Sequence, residues 1–165
     1  MFPDDLIQSA ENLVILCRTR RLMLTSAESC TGGLVGGLIT AIAGSSDIYD
    51  RGFITYSNEA KRDCLGVPDA MLAQFGAVSA EVAHAMAEGA LAHSRAKIAV
   101  SVTGIAGPGG GSAEKPVGLV HFACGRAGAI TTRVERFGDR GRAEIRRLSV
   151  VVATELLLQA ASQVP

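Results

Sequence analysis

Short runs rich in β-branched residues alternate along this chain with segments of helical period, and no other feature restricts its fold as much. Residues 4–20 place Leu6, Ile7, Ala10, Leu13, Val14 and Cys17 at helical spacing, with Pro3 where a first turn tolerates it. Residues 22–26 read as a short strand, 31–42 as a glycine-rich helix and 48–56 as a strand. Gly32, Gly33, Gly36 and Gly37 lower the intrinsic helix propensity of 31–42, which points to close packing against a neighbour. Three helices follow: 58–65 with Ser57 as N-cap, 68–75, and a segment from 79 to about 93 with Ser79 as cap. KIAVSVT, residues 97–103, reads as a buried strand, and 104–115 as a loop containing IAGPGGG. Residues 117–124 and 130–137 form two strands joined at 125–128, and 142–163 a long apolar helix. Interleaving of this kind predicts an α/β fold: a three-layer α/β/α sandwich around a mixed, mostly parallel sheet. The closing hairpin keeps that sheet from being wholly parallel.

Composition bounds the function. The 165 residues are the size of one domain, and 48% hydrophobic content with a mean hydropathy of +0.28 argues against disorder. Sixteen basic residues balance 16 acidic ones, and no basic stripe marks a nucleic-acid binder. The cluster Arg140, Arg142, Arg146 and Arg147 is too small to carry that reading. Cys17, Cys30, Cys64 and Cys124 form no CxxC pair, which suits reduced thiols packed as small hydrophobes in a cytoplasmic protein. The acidic N-terminus MFPDDLIQSAENL is not a signal peptide, and no run of 18 apolar residues spans a membrane. His84, His93 and His121 have no ligand spacing, so neither a metal site nor a cofactor is expected.

Four segments can carry chemistry. AESCTGG, ending at Gly33, joins a strand to a helix, so Glu28, Ser29 and Thr31 lie where α/β proteins bind ligands and where free amides suit a phosphate or an oxyanion. It is neither a Walker A loop nor a dinucleotide fingerprint. GSSDIYDRGFITYSNEAK holds Ser45, Ser46, Tyr56, Ser57 and Lys61 within 18 residues. A lysine that loses its proton through burial can activate a serine, and a tyrosine beside it can orient the proton. SVTGIAGPGGG follows the buried strand, and its amides can surround a phosphate, with Lys115 closing the loop. At the start of the last helix Arg142 and Arg146 share a face and can clamp an anion. Each segment also has a bland reading: a helix cap, an exposed lysine, a passive turn, a solvated helix end. The residues alone leave Ser29, Ser45 and Ser46 open as the nucleophile.

Taken in order, AESCTGG, GSSDIYDRGFITYSNEAK, GAVS, SVTGIAGPGGGSAEKPVG and FGDRGRAEIRR resemble the CinA C-terminal domain family over essentially the whole chain. The resemblance implies a single domain over residues 1–165. It implies the stand-alone form, without the molybdopterin-binding-like N-terminal domain of longer relatives. The implied reaction is hydrolysis of nicotinamide mononucleotide to nicotinate mononucleotide and ammonia, a step of pyridine nucleotide recycling. Ser46 would be the nucleophile, Lys61 its base and Tyr56 an assistant. Ser29, Thr31, Thr103 and Arg142 would line the substrate site, with Gly32, Gly33, Ser45, Gly104 and Gly107 around them. Arg140 or Arg142 can hold the family's arginine position, and Arg142 keeps the spacing to Arg146. No cofactor or metal is implied, and partners are a nucleotide substrate and a second copy in a homodimer or higher homo-oligomer. Two other readings remain: a nucleotide-binding module without catalysis, and a metal-dependent pyrophosphatase built on Glu28, Asp47, Asp50 and Glu59.

Overall fold

A computed structural model describes residues 2–163. Its five strands are β1 (Leu24–Glu28), β2 (Tyr49–Ile54), β3 (Ile98–Gly104), β4 (Leu119–Arg126) and β5 (Ala129–Arg136), in the sheet order β2-β1-β3-β4-β5. β1 pairs parallel with β2 and β3, whereas β4 pairs antiparallel with both β3 and β5. Four strands therefore point one way and β4 the other. This is the mixed sheet expected from the sequence, with β4, the first strand of the closing hairpin, making both antiparallel pairings.

Helices cover both faces. α1 (Asp4–Thr19), α2 (Leu34–Thr40) and α6 (Arg142–Ser162) pack on one, and α3 (Asn58–Leu65), α4 (Asp69–Phe75) and α5 (Ala80–Ala92) on the other. The pleat sorts the side chains. Leu24, Ile98, Val100, Val102, Val120 and Phe122 enter the first core, while Ala27, Ala99 and Ala123 enter the second against Val82, Met86 and Ala90. Small alanines on that second face let α5 lie close to the sheet.

The same alternation positions the chemistry. Glu28 points to the α2 side, so Ser29, the next residue, faces α3 and α5. Ser57 and Ser79 cap α3 and α5 as their sequence positions predict, accepting from the Ala60 and Val82 amides at 3.0 and 3.3 Å. The glycine-rich helix starts later than its composition suggests, at Leu34 rather than Thr31. Gly33 sits at φ +94°, in left-handed space, and turns the chain into the helix. At Gly36 the expected close packing is present: an added Cβ would come within 2.6 Å of the Tyr49 hydroxyl oxygen.

Candidate active site

At the carboxyl ends of β1 and β3 the structure brings two polar groups together. Lys61 is 1% exposed, the largest fully buried side chain on α3. Its Nζ lies 3.0 Å from Ser29 Oγ and donates to the Thr55 carbonyl at 2.8 Å. Burial pulls the amine below its ordinary 10.5, a shift that the nearby Cys30 opposes. Among the described residues no carboxylate hydrogen-bonds this amine. A cation is costly in such surroundings, and a neutral amine beside a hydroxyl is what proton abstraction requires.

Two residues hold the turn that carries Ser29. Glu28 is 1% exposed and accepts five hydrogen bonds. They come from Ser26 Oγ, Thr31 Oγ1 and the amides of Gly33, Val35 and Gly36. The carboxylate thus sits at the positive end of α2 and satisfies amides that a helix start leaves orphaned. From the other side Arg146 donates from Nε to the Cys30 carbonyl at 3.1 Å and from Nη2 to the Thr31 carbonyl at 2.9 Å. The sequence names Arg146 as an anion clamp; its guanidinium instead holds the turn.

Beside the pair opens a cavity of about 280 Å³, lined by Tyr56, Asn58, Val78, Thr103, Ile105 and Arg142 among others. At its mouth Arg142 donates to the Tyr56 hydroxyl at 2.6 Å and to the Gly107 carbonyl at 3.0 Å. Gly104 and Gly107 form part of the wall. Thr103 Oγ1 donates to the Ala77 carbonyl at 2.8 Å, and Lys115 ties the glycine loop to the Phe75 carbonyl at 2.5 Å. Arg142 brings a fixed positive charge to this space and, among the described residues, no carboxylate lines it, so it suits an anionic ligand. A larger groove of about 540 Å³, between the end of α5 and the β4–β5 turn, contains neither member of the Ser29–Lys61 pair.

Several expectations need correction. Ser46 is exposed and lies in a short 3-10 turn, Ser45–Asp47, just before β2 begins. Arg18 of α1 binds this turn through Asp47 at 2.9 Å and the Gly44 carbonyl at 3.2 Å. Lys61 follows β2 and stands at its far end. The six-residue strand β2 separates the two positions by roughly 20 Å. The hydroxyl that Lys61 meets within the chain is therefore Ser29, not Ser46, and Ser45 is buried in the same remote turn. Thr31, Gly32 and Gly33 do not line the cavity either. The Thr31 hydroxyl and the Gly33 amide bind Glu28, and the Gly32 amide donates to the Ser29 carbonyl at 3.0 Å. Glu28 faces inward, away from Asp47, so the carboxylates do not form a cluster. Among the described residues no group of three His, Cys, Asp or Glu is arranged to hold a metal ion. Cys17, Cys30 and Cys124 are buried free thiols, whereas Cys64 is exposed. Among the described residues no helix is long and apolar enough to cross a membrane.

With this geometry in hand, similarity to known proteins is informative. The sequence profile of the CinA C-terminal domain matches residues 7–161. The nicotinamide-nucleotide amidohydrolase PncC of Escherichia coli K12 is 50% identical over 161 residues, covering 96% of both chains. A CinA-like protein of Syntrophobacter fumaroxidans is 54% identical over 141 residues. There the match covers 86% of this chain and 33% of the relative, so the chain spans about a third of that longer protein. The crystal structure of competence/damage inducible protein CihA from Agrobacterium tumefaciens superposes with a TM-score of 0.95 at 53% identity, over 99% of both chains.

Proposed function

The chain belongs to the CinA C-terminal domain family, and from that premise we propose that it hydrolyses the carboxamide of nicotinamide mononucleotide, giving nicotinate mononucleotide and ammonia. The observation that carries the chemistry is the 3.0 Å contact between Lys61 Nζ and Ser29 Oγ in a buried pocket wall.

In the proposed cycle the neutral Lys61 amine keeps one N–H on the Thr55 carbonyl and turns its lone pair to Ser29. Ser29 Oγ attacks the carboxamide carbon as its proton passes to Nζ. Backbone amides following Ser29 take the developing oxyanion. Collapse breaks the C–N bond, and the Lys61 ammonium protonates the departing nitrogen, releasing ammonia. Water then attacks the Ser29 ester while Nζ takes its proton. The acid leaves, and that proton returns to Ser29. Glu28 and Arg146 keep the turn in register throughout, and Arg142 with the glycine loop receives the phosphate. The Tyr56 hydroxyl holds Arg142 at the mouth, so its assistance is to binding.

Residues 1–165 serve in this reading as one amidohydrolase domain, working in the cytoplasm in pyridine nucleotide recycling, as a homodimer or higher homo-oligomer. Ammonia release from nicotinamide mononucleotide tests it. The wild-type protein should release ammonia, and Lys61→Ala should not, while still folding and binding the nucleotide. A wild-type protein that binds the nucleotide without releasing ammonia is the non-catalytic module instead.

A further inference from the structure

Every hydroxyl, amine and guanidinium lining the cavity already has a partner. Ser29 and Lys61 hold each other, Thr103 binds the Ala77 carbonyl, and Tyr56 is joined to Arg142. Asn58 lines the same cavity and is exposed, and its carboxamide makes no hydrogen bond among the described residues. It has no capping duty, because the Ser57 side chain already accepts from the Ala60 amide. Asparagine is also a poor helix former, so the first position of α3 gains nothing from it structurally.

The position of Asn58 is specific. Lys61 follows three residues later, so both side chains leave α3 on one face, about 4.5 Å apart along its axis. Lys61 reaches the buried end of the cavity, and Tyr56 and Arg142 stand at its mouth. Asn58, exposed at the first position of α3, lines the cavity with them.

We infer that Asn58 reads the ribose of the substrate, its carboxamide donating to and accepting from the vicinal hydroxyls. The inference rests on the nucleotide amidohydrolase reading. With the scissile carboxamide at Ser29 and the phosphate at Arg142, the sugar is the part of the substrate left facing α3. A side-chain amide offers two donors and an acceptor, which match the donors and acceptors of a cis diol. Such a contact separates nucleotides from free nicotinamide, because a site built to bind a hydroxyl rejects the analogue that lacks it.

The test measures ammonia release from nicotinamide mononucleotide and from its 2′-deoxy and 3′-deoxy analogues, with wild-type protein and Asn58→Ala. In the wild type, removing either hydroxyl should lower kcat/KM about tenfold. Asn58→Ala should lose a similar factor on the parent nucleotide and then treat all three substrates alike, with an unchanged melting temperature. Loss of stability alone does not erase discrimination between substrates, so that equality separates recognition from structural support. Asn58→Ala that keeps the wild-type discrimination overturns the inference, as does a wild type indifferent to both hydroxyls. Failure of the underlying reaction is separately visible, since the wild type would then release no ammonia from any of the three.

Discussion

Lys61 Nζ and Ser29 Oγ, 32 positions apart in sequence, meet at 3.0 Å where β1 ends and α3 passes over it. Neither residue has a strong local signature. Their meeting follows from β1 and β2 being parallel neighbours, which brings the residues after both strands to one end of the sheet.

The proton chemistry sets the pH dependence. The base is the neutral amine, and burial holds its pKa below 10.5. Rising pH should therefore raise kcat/KM through an ionisation below that value, after which it levels. Lys61→Arg keeps a cation that does not deprotonate, and should cost about 10²–10⁴-fold in turnover at every pH. Stability carries the same sign. Between the folded pKa and 10.5 the unfolded chain binds more protons, so stability rises with pH across that window. Urea unfolding across that range, compared with Lys61→Met, should show the slope in the wild type only.

Glu28→Gln should destabilise the fold by about 3 kcal/mol, because an amide nitrogen would face donors that a carboxylate oxygen now accepts. One oxygen takes Thr31 Oγ1 and the Gly33 and Val35 amides, and the other takes Ser26 Oγ and the Gly36 amide, so either amide orientation leaves donors unmatched. A melting temperature lower by about 6–12 °C is the expected reading.

Gly36→Ala sets two effects against each other. Alanine in a helix gains about 1 kcal/mol over glycine. Here the new Cβ would lie 2.6 Å from the Tyr49 hydroxyl, which is itself hydrogen-bonded to Ser26 Oγ at 2.7 Å. Overpacking should win, for a net loss of about 1–2 kcal/mol in chemical denaturation.

Arg142 and Arg146 should separate in steady-state kinetics. Arg142 stands at the cavity mouth, so Arg142→Ala should raise KM about tenfold or more with a smaller change in kcat. Arg146 holds the Cys30 and Thr31 carbonyls, so Arg146→Ala should lower kcat chiefly, through a looser Ser29 turn.

Periodicity made the architecture legible. Helix caps at Ser57 and Ser79, the buried strand through Ala99 and Ser101, and the closing hairpin all stand where local pattern places them. Lys61 was readable too, as a lysine just after a strand. The partner of Lys61 was not. The residues alone leave Ser29, Ser45 and Ser46 open and the family resemblance implies Ser46, but β2 carries the 44–46 turn away from Lys61, and only the parallel pairing of β1 with β2 reveals that the residue after β1 is the neighbour. Thr31 was misread for a related reason. A hydroxyl at a helix start looks ligand-facing until the strand pleat shows that Glu28 points inward and accepts its hydrogen bond. Arg146 shares a helix face with Arg142, yet the sequence has no sign that one guanidinium reaches two carbonyls of the β1–α2 turn.

The most direct test compares ammonia release from nicotinamide mononucleotide by Ser29→Ala and Ser46→Ala, both confirmed folded. The geometry predicts that Ser29→Ala loses at least about a thousandfold in kcat while Ser46→Ala stays within a few-fold of wild type. A Ser29→Ala protein that turns over normally, or a Ser46→Ala protein that does not, contradicts the assignment of Ser29 as the hydroxyl that Lys61 activates.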